Sequence, residues 1–205
     1  MVRIDHFRGF AAYYSIPYGS ATAQTGEWLP GGGKKLIDAL RRGCAGVSLI
    51  AEDLGVITPD VRSLLNYSKA PGMKVLQFAF DGGDEYLPHN YVKKCVVYTG
   101  THDNDTSAGW YKKLRPAVKK RVRDYAGVKT GKDIAHDMIR LALSSVADTA
   151  IIPAQDILSL GGEARMNTPS TIGFNWRWRL TPGQLANSHA EWLLELNKTY
   201  QRVKK

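Results

Sequence analysis

A chain of 205 residues, 43% hydrophobic and 23% charged, is long enough for one globular domain with a buried core, read here as 1–205. No apolar run approaches the ~20 residues of a membrane helix, and charged residues break up the N-terminal stretch, which argues against a membrane span and a signal peptide. The +9 formal charge is dispersed along the chain, and two cysteines are too few for a disulfide framework, so no nucleic-acid partner and a reduced, cytoplasmic setting are expected.

The first strand-like run is Met1 to Phe7, and it carries Arg3, Asp5 and His6. Lys34 to Arg42 reads as a helix. Val47 to Ala51 is a second apolar run, ending in Glu52-Asp53. Thr58-Pro59-Asp60 opens a helix, with Thr58 as N-cap and Pro59 at the first helical position. Met73 to Phe80 and Cys95 to Thr99 are further strands, the latter followed by His102-Asp103-Asn104. Cys95 reads as a core thiol. Pro116 to Tyr125 and Asp133 to Val146 are helical, the second placing Ile134, Met138, Leu141 and Ala142 along one face. Ala150 to Ala154 is a fifth strand, ending in Gln155-Asp156, and Ala186 to Tyr200 is a closing helix. The basic residues gather at Lys34-Lys35, Arg41-Arg42, Lys93-Lys94, Lys112 to Arg123 and Lys204-Lys205, which suits solvated faces. Gly31-Gly32-Gly33 lacks the lysine and spacing of a phosphate loop and reads as a surface turn.

Continuous apolar strands alternating with helices predict an α/β fold on a parallel sheet. Polar residues at strand ends are where such folds place their sites. Asp5, Glu52 and Asp103 occupy those ends. Any one of them alone is better explained by a helix cap or a salt bridge. Together they suit glycosidic chemistry, which needs one carboxylate to attack the anomeric carbon and one carboxylic acid to protonate the leaving oxygen. Arg3 and Asp5 share a strand face, so the guanidinium favours an ionised Asp5. Glu52 follows Leu49-Ile50-Ala51 with no adjacent cation, so desolvation and the charge of Asp5 are expected to raise its pKa, as a general acid requires. Asp53 points to the opposite face and reads as structural, although sequence alone does not fix the register. Asp103, between His102 and Asn104, suits hydrogen bonding to sugar hydroxyls. Tyr13, Tyr14, Tyr18, Trp28, Trp110 and Tyr111 offer rings for sugar faces, with polar tips free to hydrogen bond.

Seven segments then resemble one family. They are Arg-Ile-Asp-His-Phe-Arg-Gly-Phe (3–10), Ile-Ala-Glu-Asp-Leu-Gly-Val-Ile-Thr (50–58), Pro-Gly-Met-Lys-Val-Leu-Gln-Phe-Ala-Phe (71–80) and Tyr-Thr-Gly-Thr-His-Asp-Asn-Asp-Thr (98–106). Ile-Pro-Ala-Gln-Asp (152–156), Arg-Met-Asn (165–167) and Asn-Trp-Arg-Trp-Arg (175–179) complete the series. They resemble the 4-alpha-glucanotransferases, the amylomaltases of glycoside hydrolase family 77. The resemblance implies Asp5 as nucleophile, Glu52 as general acid/base and Asp103 as the carboxylate that grips the distorted sugar. It implies Arg3 and His102 as supports and sugar ligands, and it sets Asn175 near the mouth of the site without a chemical step. Tyr14, Trp28 and Asn104 are further candidate substrate contacts. The implied reaction passes an α-1,4-glucan from one maltooligosaccharide, starch or glycogen chain to another with retention, without cofactor or metal. A plastid setting is the alternative in a plant or alga. The sequence departs mildly from the family pattern at Tyr13-Tyr14 for Tyr-Trp, at Gly31-Gly32-Gly33 for Gly-Pro-Gly, and at Pro169-Ser170-Thr171 for Pro-Gly-Thr.

The family's catalytic domain is a TIM-like (β/α)8 barrel on a chain more than twice as long. The expectation is therefore the C-terminal portion of that barrel, strands four to eight, with Met1 inside strand four. On this reading the N-terminal half is a missing partner. The alternative is an inactive or noncatalytic glucan-binding fragment.

Overall fold

The computed structural model describes residues 1–203, so the Lys204-Lys205 pair lies outside the described residues. The chain divides into two compact units, Met1–Met73 and Lys74–Lys205.

In the first unit, β1 (Val2–Ile4) leads into the single-turn helix α1 (Arg8–Ala11). Then come β2 (Ala12–Ser15), β3 (Glu27–Pro30), α2 (Gly33–Gly43), β4 (Leu49–Ala51) and α3 (Pro59–Ser68). β1 and β4 are parallel, with Val2 opposite Leu49, Arg3 opposite Ile50 and Ile4 opposite Ala51. β2 and β3 form an antiparallel ribbon. Phe7, Ile37, Ala51, Val61 and Leu64 make the core, which fixes the chain directly after β1 and directly before Glu52. α3 starts where expected, with Thr58 at the N-cap position but without a side-chain capping hydrogen bond, and with Pro59 in the first turn, where its missing N–H costs nothing.

The strand β5 (Gly72–Val75) neighbours β6 (Cys95–Tyr98), which pairs in parallel with β7 (Thr149–Ile151). The helices of this part are α4 (Ser107–Lys113), α5 (Pro116–Ala126), α6 (Ile134–Ser144), α7 (Ala154–Ile157) and α8 (Asn187–Thr199). All four residues of β6 are buried, Cys95 among them, as suits a central strand covered on both faces. Leu76, Phe80, Val97, Val122 and Met138 pack into the main core. Val122 comes from α5 and Met138 from α6.

The expected α/β character holds, and the expected barrel portion does not. Among the described residues the strands form a two-stranded parallel pair, a two-stranded antiparallel ribbon and a three-stranded sheet. None of these sheets closes. A barrel needs each strand paired on both sides with a consistent stagger. Here the strands are three or four residues long. The run read as one strand over 73–80 leaves the extended conformation after Val75 and coils into a 3-10 turn over Leu76–Phe80. Leu76, Gln77, Ala79 and Phe80 are all buried there, an arrangement that strict alternation would not permit. The antiparallel ribbon was not expected at all. Among the described residues no helix is long and apolar enough to cross a membrane.

Candidate active site

Asp5 and Glu52 are the residues immediately beyond the last register pair of β1 and β4, Ile4 and Ala51. The pairing continues past the strands: Glu52 N–H donates to the Ile4 carbonyl at 2.9 Å and Phe7 N–H to the Glu52 carbonyl at 3.0 Å. Two carboxylates therefore leave adjacent parallel strands at matching positions, where strands lie about 4.8 Å apart. Arg3 Nη2 donates to Asp5 Oδ1 at 2.6 Å, while Nη1 reaches the Met73 sulfur at 3.8 Å. The Asp5 side chain stays 75% exposed, so its second oxygen is open to an incoming molecule.

Glu52 is half-buried. Its Oε2 accepts a short hydrogen bond from the His6 N–H. His6 has φ 46, a left-handed backbone that turns the chain just past Asp5. Burial lifts the Glu52 carboxyl above the usual carboxylate range; the His6 N–H opposes this, the Asp5 charge adds to it, and the Arg3 and His6 charges pull back. The upward direction is the one expected. The cations acting on Glu52 come from β1 and the residues after it, not from its own strand. Asp53 faces the other way and accepts the Met73 N–H at 2.6 Å, a structural tie between the end of β4 and β5.

On the β2–β3 ribbon, Tyr14 stands opposite Trp28 with ring centroids 5.4 Å apart. The Tyr14 hydroxyl lies 2.8 and 2.9 Å from the Ala23 and Gly26 carbonyls, so its polar tip holds the loop and leaves only the ring for another molecule. Trp28 is 54% exposed, and the Arg8 guanidinium sits 4.7 Å from its ring. The same guanidinium donates to the Val56 carbonyl at 2.6 Å.

In the second unit, His102, Asp103 and Asn104 lie on the loop between β6 and α4. Asn104 turns inward: its Oδ1 accepts from Thr101 N at 2.9 Å and Thr101 Oγ1 at 2.8 Å. Asp103 Oδ1 accepts Asn167 Nδ2 at 2.6 Å, and its Oδ2 lies 3.3 Å from His102 Nε2. Arg165 Nη2 donates to the Asp103 carbonyl at 2.6 Å, and Asn167 N–H to that of His102 at 3.0 Å. The Trp176 ring lies 5.0 Å from the His102 ring. A cavity of about 220 Å³ opens beside this loop, lined by His102, Asn104, Asp156, Arg165, Met166 and Trp176 among others. Asn175 is spent on its own loop, accepting Thr168 N–H at 2.9 Å and donating to the Thr171 carbonyl at 3.1 Å. Arg165, Asn167 and Trp176 belong to the family-like segments, but residue chemistry gave no sign that they partner Asp103 or His102. Among the described residues no three His, Cys, Asp or Glu side chains converge to hold a metal ion.

The 4-alpha-glucanotransferase family model matches residues 1–186. A 4-alpha-glucanotransferase of Synechocystis is 48% identical over 203 residues, covering 96% of this chain and 40% of that protein. The Thermus thermophilus 4-alpha-glucanotransferase is 45% identical over 212 residues, covering 99% and 42%. The solved structure of amylomaltase from Streptococcus agalactiae in complex with acarbose superposes with a TM-score of 0.91 at 34% identity, over 98% of this chain and 41% of that one. The chain thus spans about two fifths of the length of these relatives.

Proposed function

The chain belongs to the 4-alpha-glucanotransferase family, and from that premise we propose that it carries the carboxylates with which such an enzyme cuts and rejoins α-1,4-glucans. The supporting observation is the placement of Asp5 and Glu52 beyond one register pair of β1 and β4, with Arg3 on one carboxylate and the His6 N–H on the other. A retaining mechanism needs its two carboxyls roughly 5–5.5 Å apart, which is the scale of one strand spacing.

In the proposed reaction, Asp5 attacks the anomeric carbon of a maltooligosaccharide, starch or glycogen chain. Glu52 gives its proton to the departing 4-oxygen, and a glucosyl ester forms on Asp5. Glu52, now a carboxylate, takes the proton from the 4-hydroxyl of an acceptor sugar. That oxygen displaces Asp5, so the glucan is transferred with retention. The raised Glu52 pKa supports the acid step, because the proton is held closer to neutral pH. Arg3 keeps Asp5 in place. Asp103 takes the role of gripping the distorted donor sugar, with His102 and Asn104 on the same loop, and the Tyr14 and Trp28 rings offer apolar faces for glucose units.

The test is incubation with maltotriose. Glucose together with longer oligosaccharides is the expected product pattern of the active form, and Asp5→Asn is expected to abolish it. Near-normal product from that variant would remove Asp5 from the chemistry.

The share of the relatives covered favours a second reading. The chain corresponds to the C-terminal part of a longer fold and binds glucan without turning it over until the remaining sequence is supplied.

A further inference from the structure

Asp156 has no role in the chemistry above, yet it is a carboxylate only 1% exposed. Its Oδ2 accepts the Thr99 hydroxyl at 2.5 Å and the Ser107 hydroxyl at 2.8 Å, and its Oδ1 accepts the Ser107 N–H at 2.7 Å. Thr99 is the residue after β6, and Ser107 is the first residue of α4. Between them run residues 100–106, which carry His102, Asp103 and Asn104. One carboxylate therefore ties both ends of that loop together. The loop's middle is held separately, by Gln77 Nε2 on the Asp105 carbonyl at 2.9 Å and by Asn104 on Thr101.

Burying an ionised group costs several kcal/mol unless its lone pairs are filled. A tie made only for stability has cheaper forms. What distinguishes this site is that all three donors come from the two ends of one loop and need acceptors at once. An ionised carboxylate supplies those acceptors without a donor of its own, whereas an amide turns one N–H₂ toward a donor. Asp156 also lines the same cavity as His102 and Asn104.

Resting on the glucanotransferase reading, we propose that Asp156 is a positioning residue that closes the 99–107 loop and so sets His102 and Asp103 for the donor sugar. Both of its carboxylate oxygens are occupied by Thr99 and Ser107. Its effect passes through Thr99 and Ser107.

The test uses Asp156→Asn, Thr99→Val and Thr99→Ser, each checked for native far-ultraviolet circular dichroism. In the form of the protein that disproportionates maltotriose, Asp156→Asn and Thr99→Val are expected to lower kcat by about 10- to 100-fold, as small misplacements do. KM is expected to change far less, and Thr99→Ser, which keeps the hydroxyl, to recover near-parental kcat. In the 205-residue chain itself, amide resonances of 102–104 are expected to shift in Thr99→Val and return in Thr99→Ser, with those of Asp5 and Glu52 unmoved. Should no form act on maltotriose, the glucanotransferase reading fails while these resonances still decide whether the tie sets the loop. Unshifted 102–104 resonances in a folded Asp156→Asn or Thr99→Val chain, or equal kcat for the valine and serine variants, overturn the proposal. If Asp156→Asn does not fold, the Thr99 pair alone decides between the two outcomes.

Discussion

Glu52 is pulled in opposite directions by its surroundings, and burial is the larger influence. Its folded carboxyl binds a proton more tightly than the unfolded chain does. Its contribution to stability is therefore fully present below the ordinary glutamate pKa of about 4.3 and is lost as pH rises through the elevated folded value. Glu52→Gln removes the ionisation. The variant is expected to melt no lower than the parent at pH 7 and to lose any advantage near pH 4, as thermal unfolding at the two pH values would register. A lower melting temperature at pH 7 would mean that the His6 N–H outweighs burial. The same substitution removes the proposed acid/base and is expected to cost roughly 10²–10⁴ in rate. A second residue-scale case is Ser170, whose φ of 61 lies in the left-handed region where the family pattern carries glycine. That conformation costs a non-glycine residue about 1–2 kcal/mol, partly offset by the entropy that glycine adds to the unfolded chain. Ser170→Gly is thus expected to gain up to about 1 kcal/mol, read as a small rise in melting temperature. A clear fall would show that the serine side chain contributes more than its strain costs.

Elements differ in how plainly the residues announce them. α6 was legible because Ile134, Met138, Leu141 and Ala142 repeat at helical spacing, and in the fold Ile134, Met138 and Ala142 join the main core. Met138 is fully buried, so Met138→Ala is expected to cost about 2–5 kcal/mol, measured by denaturant unfolding. The existence of β1, β4, β5, β6 and β7 was legible from short apolar runs, but their lengths were not. The 73–80 run is apolar throughout, and hydrophobicity alone does not separate an extended strand from a tight turn buried on all sides. β2 and β3 escaped notice because Tyr13-Tyr14 and Trp28 suggest sugar-facing rings as readily as a ribbon. Gly26 shows how tightly that ribbon closes. A Cβ there would lie 2.4 Å from a Tyr14 ring carbon and 2.7 Å from the Ser15 carbonyl. Gly26→Ala is therefore expected to destabilise by about 1–3 kcal/mol, an overpacking cost. The candidate site divides in the same way. Asp5 and Glu52 stood out because each ends an apolar run. The partners of Asp103 did not, because Arg165 and Asn167 are 62 and 64 residues away along the chain. They lie in a stretch whose only regular element before α8 is a 3-10 turn over Gly162–Ala164.

For the molecule as a whole, the exposure of Asp5 and Asp103, two of the three candidate carboxylates, bears most on activity. The Asp5 side chain is 75% exposed and that of Asp103 is 48% exposed. Transfer to sugar requires that an acceptor reach the glucosyl ester before water does, and closing a site against water is how enzymes protect reactive intermediates. An open carboxylate is poorly placed to do so. The chain also matches only 40% of the Synechocystis relative and 42% of the Thermus thermophilus one, leaving most of each relative's length unrepresented. Both facts point the same way: the chain carries the proposed cleavage residues, and an enclosure that favours an acceptor sugar is expected from the rest of a full-length relative. The 205-residue chain alone is accordingly expected to give no detectable disproportionation of maltotriose. Supplying the additional sequence of a relative, in trans or as a fusion, is expected to produce glucose and longer oligosaccharides. The comparison needs product chromatography with Asp5→Asn as the blank in each arm. Robust disproportionation by the chain alone would show that Asp5 and Glu52 need no further enclosure. Hydrolysis to glucose and maltose without longer products would instead show cleavage without acceptor selection, which places the missing contribution at the acceptor step and not at the carboxylates.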